Sequence, residues 1–152
     1  MWGPGAPAFE GRVVKVAEAL CYPRPLQEHV PILVGGSGER RTLRLVARYA
    51  DACNFTGDVA NVGHKLAVLR EHCAAVGRDP ATIEVTHLGS VTLGDAEPAG
   101  AGIGNVAGTV EDHVGRYREL AEAGVQTALV RMPALDERAI EAFAPVLASF
   151  SR

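Results

Sequence analysis

The sequence of 152 residues lacks paired cysteines, a large net charge and any apolar run long enough to cross a membrane. Its three cysteines, Cys21, Cys53 and Cys73, are an odd number without CxxC spacing, which argues against a disulfide framework and a zinc site. The formal charge of -3 provides neither a basic patch for nucleic acid nor an acidic tail. The Pro- and Gly-rich N-terminus does not follow the pattern of a signal peptide. We therefore expect a soluble, cytoplasmic protein with no metal and with no nucleic-acid or membrane partner.

The composition is that of a globular chain, with 47% apolar and 22% charged residues. This length is sufficient for one core, so we predict a single domain over residues 1–152, with residues 1–30 as a lead-in segment. The stretch "GDAEPAGAGIGNVAG", residues 94–108, is predicted to be a flexible loop. Its Gly102, Gly104 and Gly108 have GxGxxxG spacing, which favours a flexible connection over a nucleotide site.

Short β-rich runs alternate with segments of helical periodicity along the rest of the chain. The predicted strands cover residues 32–34, 52–55, 83–93 and 126–132. The predicted helices carry apolar stripes that begin at Leu43, Val62, Val110 and Ile140, with Asn61 as the cap of the second and Thr109 as the cap of the third. The order βαβαβαβα predicts an α/β fold with a parallel sheet, either open or closed as a barrel.

The first of these strand ends is followed by the glycine-rich stretch "GGSGERRT". Gly35, Gly36, Ser37 and Gly38 lie where a strand ends and a helix begins, so free backbone N–H groups and the positive end of the helix dipole point to one place. That arrangement is typical of an anion or phosphate site. The alternative is a tight turn that needs glycine only for its backbone geometry. The stretch matches neither a Walker loop nor the dinucleotide fingerprint.

Three stretches in this order resemble the C-terminal half of luciferase-like flavin monooxygenases, particularly the subgroup that uses the deazaflavin coenzyme F420. They are "PILVGGSGERRTLRLVARYADACNF", "HKLAVLREHCAAVGRDPATIEVT" and "GTVEDHVGRYRELAEAGVQTALV". The stretch "FEGRVVKVAEALCYPRPLQEHVPILVGG" is similar to the segment that leads into the fifth barrel strand of that family. One departure is Val110, where the family usually has the proline that begins a helix.

The resemblance implies a TIM barrel with F420, or alternatively FMN, at its carboxyl face, and hydride transfer between that cofactor and a small organic substrate. By the same resemblance, Gly35 and Gly36 approach the cofactor phosphate, Ser37, Gly38 and Thr42 line the same turn, and Asn54 faces that side. No catalytic acid or base is assigned, because the hydride chemistry belongs to the cofactor.

The chain supplies about four strands, matching strands five to eight, whereas such a barrel has eight strands and roughly 250 residues. We therefore predict a half-barrel, with three outcomes left open. The first, which we favour, is a truncated or separately started product with little activity. The others are a homodimer that closes a pseudo-barrel and a barrel completed by another polypeptide. The alternative to the enzyme is a non-catalytic, truncated barrel fragment that binds phosphate or needs a partner chain or a homodimer to close.

Other polar residues have less specific roles at this stage. Arg131, at the end of the last predicted strand, is a candidate for binding an anionic group of the substrate, although a surface arginine is the alternative. His64 and His72 are two helical turns apart, too far to share a metal, and are expected on a solvated helix face. We expect His87 to be structural, and Cys53 and Cys73 to be small buried residues.

Overall fold

The computed structural model describes residues 5–94, 105–132, 134 and 136–151, and its contacts divide the chain into two compact units, Met1–Val30 and Pro31–Arg152. The first unit contains a short antiparallel pair, β1 (Phe9–Glu10) and β2 (Lys15–Val16), with an ion pair between Lys15 and Glu10. The helices of the described residues include none long and apolar enough to span a bilayer.

The second unit alternates strands and helices. Its elements are β3 (Leu33–Gly35), α1 (Thr42–Tyr49), β4 (Ala52–Phe55), α2 (Val59–Val76), a 3-10 turn (Pro80–Thr82), β5 (Glu84–Leu93), β6 (Asn105–Gly108), α3 (Val110–Ala123), β7 (Thr127–Arg131) and α4 (Glu137–Ala148). Strands β3, β4, β5 and β7 lie side by side in that order and are parallel. The prediction of an α/β fold with a parallel sheet and a partial barrel is therefore confirmed.

Helix ends follow local signals in the sequence. Thr109 and Asp112 form the predicted capping box of α3: the Asp112 backbone N–H donates to Thr109 Oγ1 at 3.2 Å, and Thr109 N–H donates to Asp112 Oδ2 at 2.8 Å. The expected cap of α2 was wrong by three residues. Asp58, rather than Asn61, caps that helix, and its carboxylate accepts a hydrogen bond from Asn61 N–H at 2.8 Å. The helix begins at Val59, so Asp58 precedes the first helical residue, whereas Asn61 lies within the first turn.

Among its described residues, the predicted loop over residues 94–108 includes a strand. Its last four residues, Asn105–Gly108, form β6, which pairs in parallel with the end of β5 from Ser90 to Leu93. Residues 95–104, including Gly102 and Gly104, lie outside the described residues. The pairing with β5, rather than intrinsic strand propensity, accounts for β6, because its sequence "NVAG" is poor in β-forming residues.

The apolar core lies between the helices and one face of the sheet. From the strands it contains Cys53, Phe55, Val85 and Val91, and from the helices it contains residues that include Leu43, Val46, Leu66 and Leu120. Full burial of a side chain of this kind stabilises a fold by about 1.5–3 kcal/mol. Cys53 and Cys73 are fully buried, as predicted, and burial raises the pKa of the Cys53 thiol to about 11.

Alternation along the strands places a second set of side chains on the opposite side of the sheet, which we call the inner face. It carries Leu33, Gly35, Asn54, Thr86, Ser90, Leu129 and Arg131. Leu33 and Leu129 are 51% and 43% exposed, in contrast to the buried side chains of the core face. In a barrel of parallel strands this is the side that faces the barrel interior.

Candidate functional site

The glycine-rich turn connects the carboxyl end of β3 with the start of α1, as the sequence predicted. Gly35 is the last residue of β3, and a Cβ built on it would meet no atom within 4 Å. Gly36 has φ +107°, a conformation that L side chains rarely adopt. A Cβ on Gly38 would lie 2.9 Å from Thr42 Oγ1. A side chain at Gly35 would have open space. At Gly36 the backbone conformation favours glycine, and at Gly38 a side chain would be too close to Thr42 of α1.

Backbone groups at the start of α1 are not capped by a side chain. Arg41 occupies the N-cap position without making a side-chain cap hydrogen bond, and Leu43 N–H donates to Gly38 O at 3.1 Å, which closes the turn. The positive end of the α1 dipole therefore lies beside the glycine backbone. The arrangement suits an anion approached by backbone N–H groups.

Charged side chains surround this turn. A surface pocket beside it is lined by Ser37, Gly38, Glu39, Arg40, Arg41, Thr42 and Lys65. Arg40 and Arg41 are exposed. The Glu39 carboxylate, which would repel an anion, pairs with Lys65 and with His64 of α2, the latter at 3.0 Å between Nε2 and Oε1. The hydrogen bond from Lys65, followed by that from His64, lowers the pKa of Glu39, so its charge is compensated by α2.

Helix α2 also contacts the backbone of the turn. His72 Nε2 lies 2.8 Å from Glu39 O, so two histidines of α2 contact one residue of the turn. The sequence analysis placed His64 and His72 on a solvated helix face; His64 is exposed, as expected, whereas His72 is half-buried against the turn. Their common partner is Glu39, which is at least 25 positions away and cannot be recognised from helical spacing.

Asn54 lies beside the turn on the inner face. It pairs in register with Gly35 of β3 on one side and with Thr86 of β5 on the other. Its Nδ2 donates to Thr86 Oγ1 at 2.7 Å, and Thr86 Oγ1 donates to Cys53 O at 3.0 Å. Thr86 is only 4% exposed, and the sequence did not point to it. The side chain of Asn54 is thus held by a buried hydroxyl next to a bare stretch of backbone.

His87, on the core face of β5, supports the neighbouring loop. It is fully buried, and its Nε2 donates to Gly57 O at 2.9 Å in the loop between β4 and α2. Burial, as the largest cause, lowers the pKa of His87, which favours the neutral ring. Gly57 has φ +103°, and a Cβ there would lie 2.7 Å from Asn61 Nδ2. The structural role expected for His87 is therefore the one observed.

Arg131 is placed apart from the turn. It pairs with Ser90, whereas Asn54 pairs with Thr86, four positions earlier on β5. At about 3.3 Å per residue, that offset is roughly 13 Å along the strands toward their carboxyl ends. Arg131 and Gly35 are also separated by two intervening strands, β4 and β5. The structure brings together Gly35, Gly36, Ser37, Gly38, Thr42 and Asn54, but it does not bring Arg131 into that group.

Solved structures share this fold. An F420-dependent secondary alcohol dehydrogenase in complex with an F420–acetone adduct matches with a TM-score of 0.77 and 15% identity, over 99% of this chain and 58% of that one. The coenzyme F420-dependent tetrahydromethanopterin reductase of Methanopyrus kandleri matches with a TM-score of 0.70 and 16% identity, over 91% and 55% of the two chains. A long-chain alkane monooxygenase matches with a TM-score of 0.69 and 16% identity, over 93% and 46%.

Comparison at the level of sequence identifies the family. An uncharacterized protein of Mycobacterium tuberculosis and one of Mycobacterium bovis are each 29% identical over 133 residues, which are 88% of this chain and 40% of each relative. The chain thus spans about 40% of the length of these curated relatives. The family model for luciferase-like monooxygenases matches residues 1–101, a range that includes the glycine-rich turn, Asn54 and Thr86 but not Arg131. This chain belongs to the luciferase-like monooxygenase family.

Proposed function

We propose that this chain binds the phosphate of F420, or alternatively of FMN, at the glycine-rich turn and contributes to hydride transfer between that cofactor and a small organic substrate. The family and the solved structures of similar fold support the general oxidoreductase or monooxygenase class. The observation that carries the cofactor proposal is the open backbone at Gly35 and Gly36 beside the uncapped start of α1.

The residues of the turn fit a phosphate. Gly35 leaves the backbone open, and a Cβ on Gly36 would meet only Thr42 Cγ2, at 3.7 Å. A phosphate can therefore approach the amides without displacing protein atoms. The pairing of Glu39 with Lys65 compensates the negative charge that Glu39 brings to the turn, while Arg40 and Arg41 are exposed. The net local charge is favourable for an anion.

The chain's own residues would bind and orient the cofactor. A bound flavin or deazaflavin supplies the hydride chemistry. Ser37, Gly38 and Thr42 would hold the phosphate end, and Asn54 would contact the part of the cofactor that crosses the inner face. Arg131 would bind an anionic group of the substrate, since it lies farther toward the carboxyl ends of the strands than Asn54. We assign no acid or base to the chain.

A second candidate function is phosphate binding without turnover by the chain alone. It is favoured by the exposure of Leu33 and Leu129 on the inner face, because apolar side chains of a barrel interior need partners. A second copy of the chain or another polypeptide would then complete the barrel. Light scattering coupled to size-exclusion chromatography tests for the second copy.

Titration of the purified chain with F420 and, separately, with FMN tests the main proposal. We expect quenching of cofactor fluorescence or a shift of the visible spectrum with each cofactor that binds. Gly36→Asp should abolish the signal, because it adds a carboxylate and a side chain where φ is +107°. The matched control is Gly115→Asp on the exposed surface of α3, where a Cβ has open space and binding should be unchanged. An unsubstituted, folded chain that gives no signal with either cofactor would refute the proposal.

A further inference from the structure

We infer that Asn54 is a specificity-determining residue that presents its amide oxygen, and not its amide nitrogen, to the ligand. It would then select a ligand that carries a hydrogen-bond donor next to its phosphate. This inference rests on the proposed function, because it concerns the same ligand. It makes specific the contact that Asn54 would form with the part of the cofactor that crosses the inner face.

The orientation of the amide follows from the hydrogen bonds of Thr86. A hydroxyl has one proton, and the Thr86 hydroxyl has two neighbours, Cys53 O at 3.0 Å and the Asn54 amide at 2.7 Å. The Cys53 carbonyl oxygen can only accept, so the proton goes there and the hydroxyl accepts from Asn54 Nδ2. With the amide reversed, two acceptors would compete for one proton. A nearly buried hydroxyl that keeps only one of its two hydrogen bonds is unfavourable, so the nitrogen faces Thr86.

The oxygen of the Asn54 amide therefore points away from Thr86. Its neighbour on that side is Gly35, whose missing side chain leaves open space. Among the described residues, the structure provides no hydrogen-bond donor to Asn54 Oδ1. The inner face thus presents a fixed acceptor, Asn54 Oδ1, beside the bare backbone of Gly35, which directly precedes Gly36.

The Asn54 Oδ1 acceptor would distinguish the phosphate of a ligand from a part that carries a hydrogen-bond donor. A phosphate ester dianion carries only acceptors, so it is repelled by Oδ1 and belongs at the N–H groups of the turn. A ligand that continues from the turn across Gly35 must place a hydroxyl or an N–H over Asn54. Both F420 and FMN carry a polyhydroxylated chain next to the phosphate, and a hydroxyl of that chain is the donor that fits.

Two pairs of measurements test this orientation. The first compares FMN, followed by fluorescence, with sulfate, an anion without a proton at neutral pH that competes for the turn alone. Asn54→Ala should weaken FMN about three- to tenfold, the effect of one hydrogen bond, and leave sulfate competition unchanged. The second compares Thr86→Val, which removes the anchor of the amide and should also weaken FMN, with Thr86→Ser, which keeps the hydroxyl and should not.

Each result decides a separate point, provided that thermal unfolding shows the variants to be folded. Unchanged FMN affinity in Asn54→Ala, with binding still lost in Gly36→Asp, would overturn this inference and leave the proposed function intact. Tighter FMN binding by Thr86→Val would also overturn it, because a freed amide nitrogen would then be the group that the ligand needs. If the unsubstituted chain binds neither FMN nor F420, both the proposed function and this inference fail.

Discussion

Replacement of Gly35 by alanine separates the use of the turn for binding from its use for folding. A Cβ at Gly35 meets no protein atom within 4 Å, and Gly35 is not among the glycines with positive φ. Glycine inside a strand is less stable than alanine by roughly 0.5–1 kcal/mol. The free energy of unfolding of Gly35→Ala should therefore be unchanged or slightly higher. The new methyl group, however, would occupy the space over the backbone that a bound phosphate and its chain require.

The expected loss of affinity follows from the hydrogen bonds that the methyl group would displace. A hydrogen bond from a backbone N–H to a charged phosphate contributes about 1.5–3 kcal/mol. Displacement of the ligand from one such N–H would weaken binding roughly ten- to hundredfold. Gly36→Ala should behave differently: at φ +107° the new side chain costs about 1–3 kcal/mol of stability as well as affinity.

Urea denaturation and a fluorescence titration with F420 or FMN, performed on the same samples, provide the two required quantities. Gly115→Ala is the matched control, because its Cβ also meets open space but lies on α3. That variant should bind as the unsubstituted chain does. A folded Gly35→Ala variant with unchanged affinity for the cofactor would show that no ligand approaches this backbone, and the reasoning from open space would be wrong.

Three further results are expected. Glu39→Gln should raise cofactor affinity at low ionic strength and lose that advantage in high salt, because it removes a negative charge beside the turn; an affinity that falls in a titration across salt concentrations would contradict this. Burial lowers the pKa of His87 in the folded chain below 6.5. The contribution of His87 to the free energy of unfolding is therefore fully present above pH 6.5 and is lost as the pH falls through the folded pKa. Urea denaturation from neutral pH to about pH 5 should thus give a decline that His87→Gln reduces; equal declines would exclude His87 as the cause. Iodoacetamide should modify the half-buried Cys21 in the folded chain, but Cys53 and Cys73 only on unfolding, as mass spectrometry can follow; rapid labelling of Cys53 would contradict its burial.

The sequence predicted those elements whose signals are local. The capping box at Thr109 and the apolar stripe of α2 lie within single helices, and both are present in the structure. Strand β6 was missed because "NVAG" becomes a strand only through its pairing with the end of β5. The cap of α2 was assigned wrongly to Asn61. Asp58 and Asn61 are both residue types that cap helices, and the choice between them depends on the residue at which the helix begins.

The residues of the candidate site also separate into those that the sequence predicts and those that only the fold reveals. The turn from Gly35 to Gly38 is a contiguous motif at a strand end, so its position between β3 and α1 could be predicted without a structure. Lys65 and Thr86 could not be found in that way. Lys65 meets Glu39 across 26 positions, and Thr86 meets Asn54 across 32, so each contact requires the fold to bring separate elements together. Neither contact leaves a signal in the spacing of residues along the chain.

Under the proposed function, these long-range contacts would determine which ligand the turn binds. Glycine backbone alone would accept many anions, since N–H groups do not distinguish one phosphate ester from another. Discrimination requires side chains with a fixed direction, and two are present: Lys65, which compensates Glu39, and Asn54, whose amide is oriented by Thr86. Because Glu39, the partner of Lys65, affects the charge beside the turn and Asn54 affects hydrogen bonding, substitutions at Glu39 and Asn54 should act independently on ligand affinity. A variant that carries both Asn54→Ala and Glu39→Gln should therefore show the sum of their separate free-energy changes, and a large departure from that sum would indicate that the two residues contact the same part of the ligand.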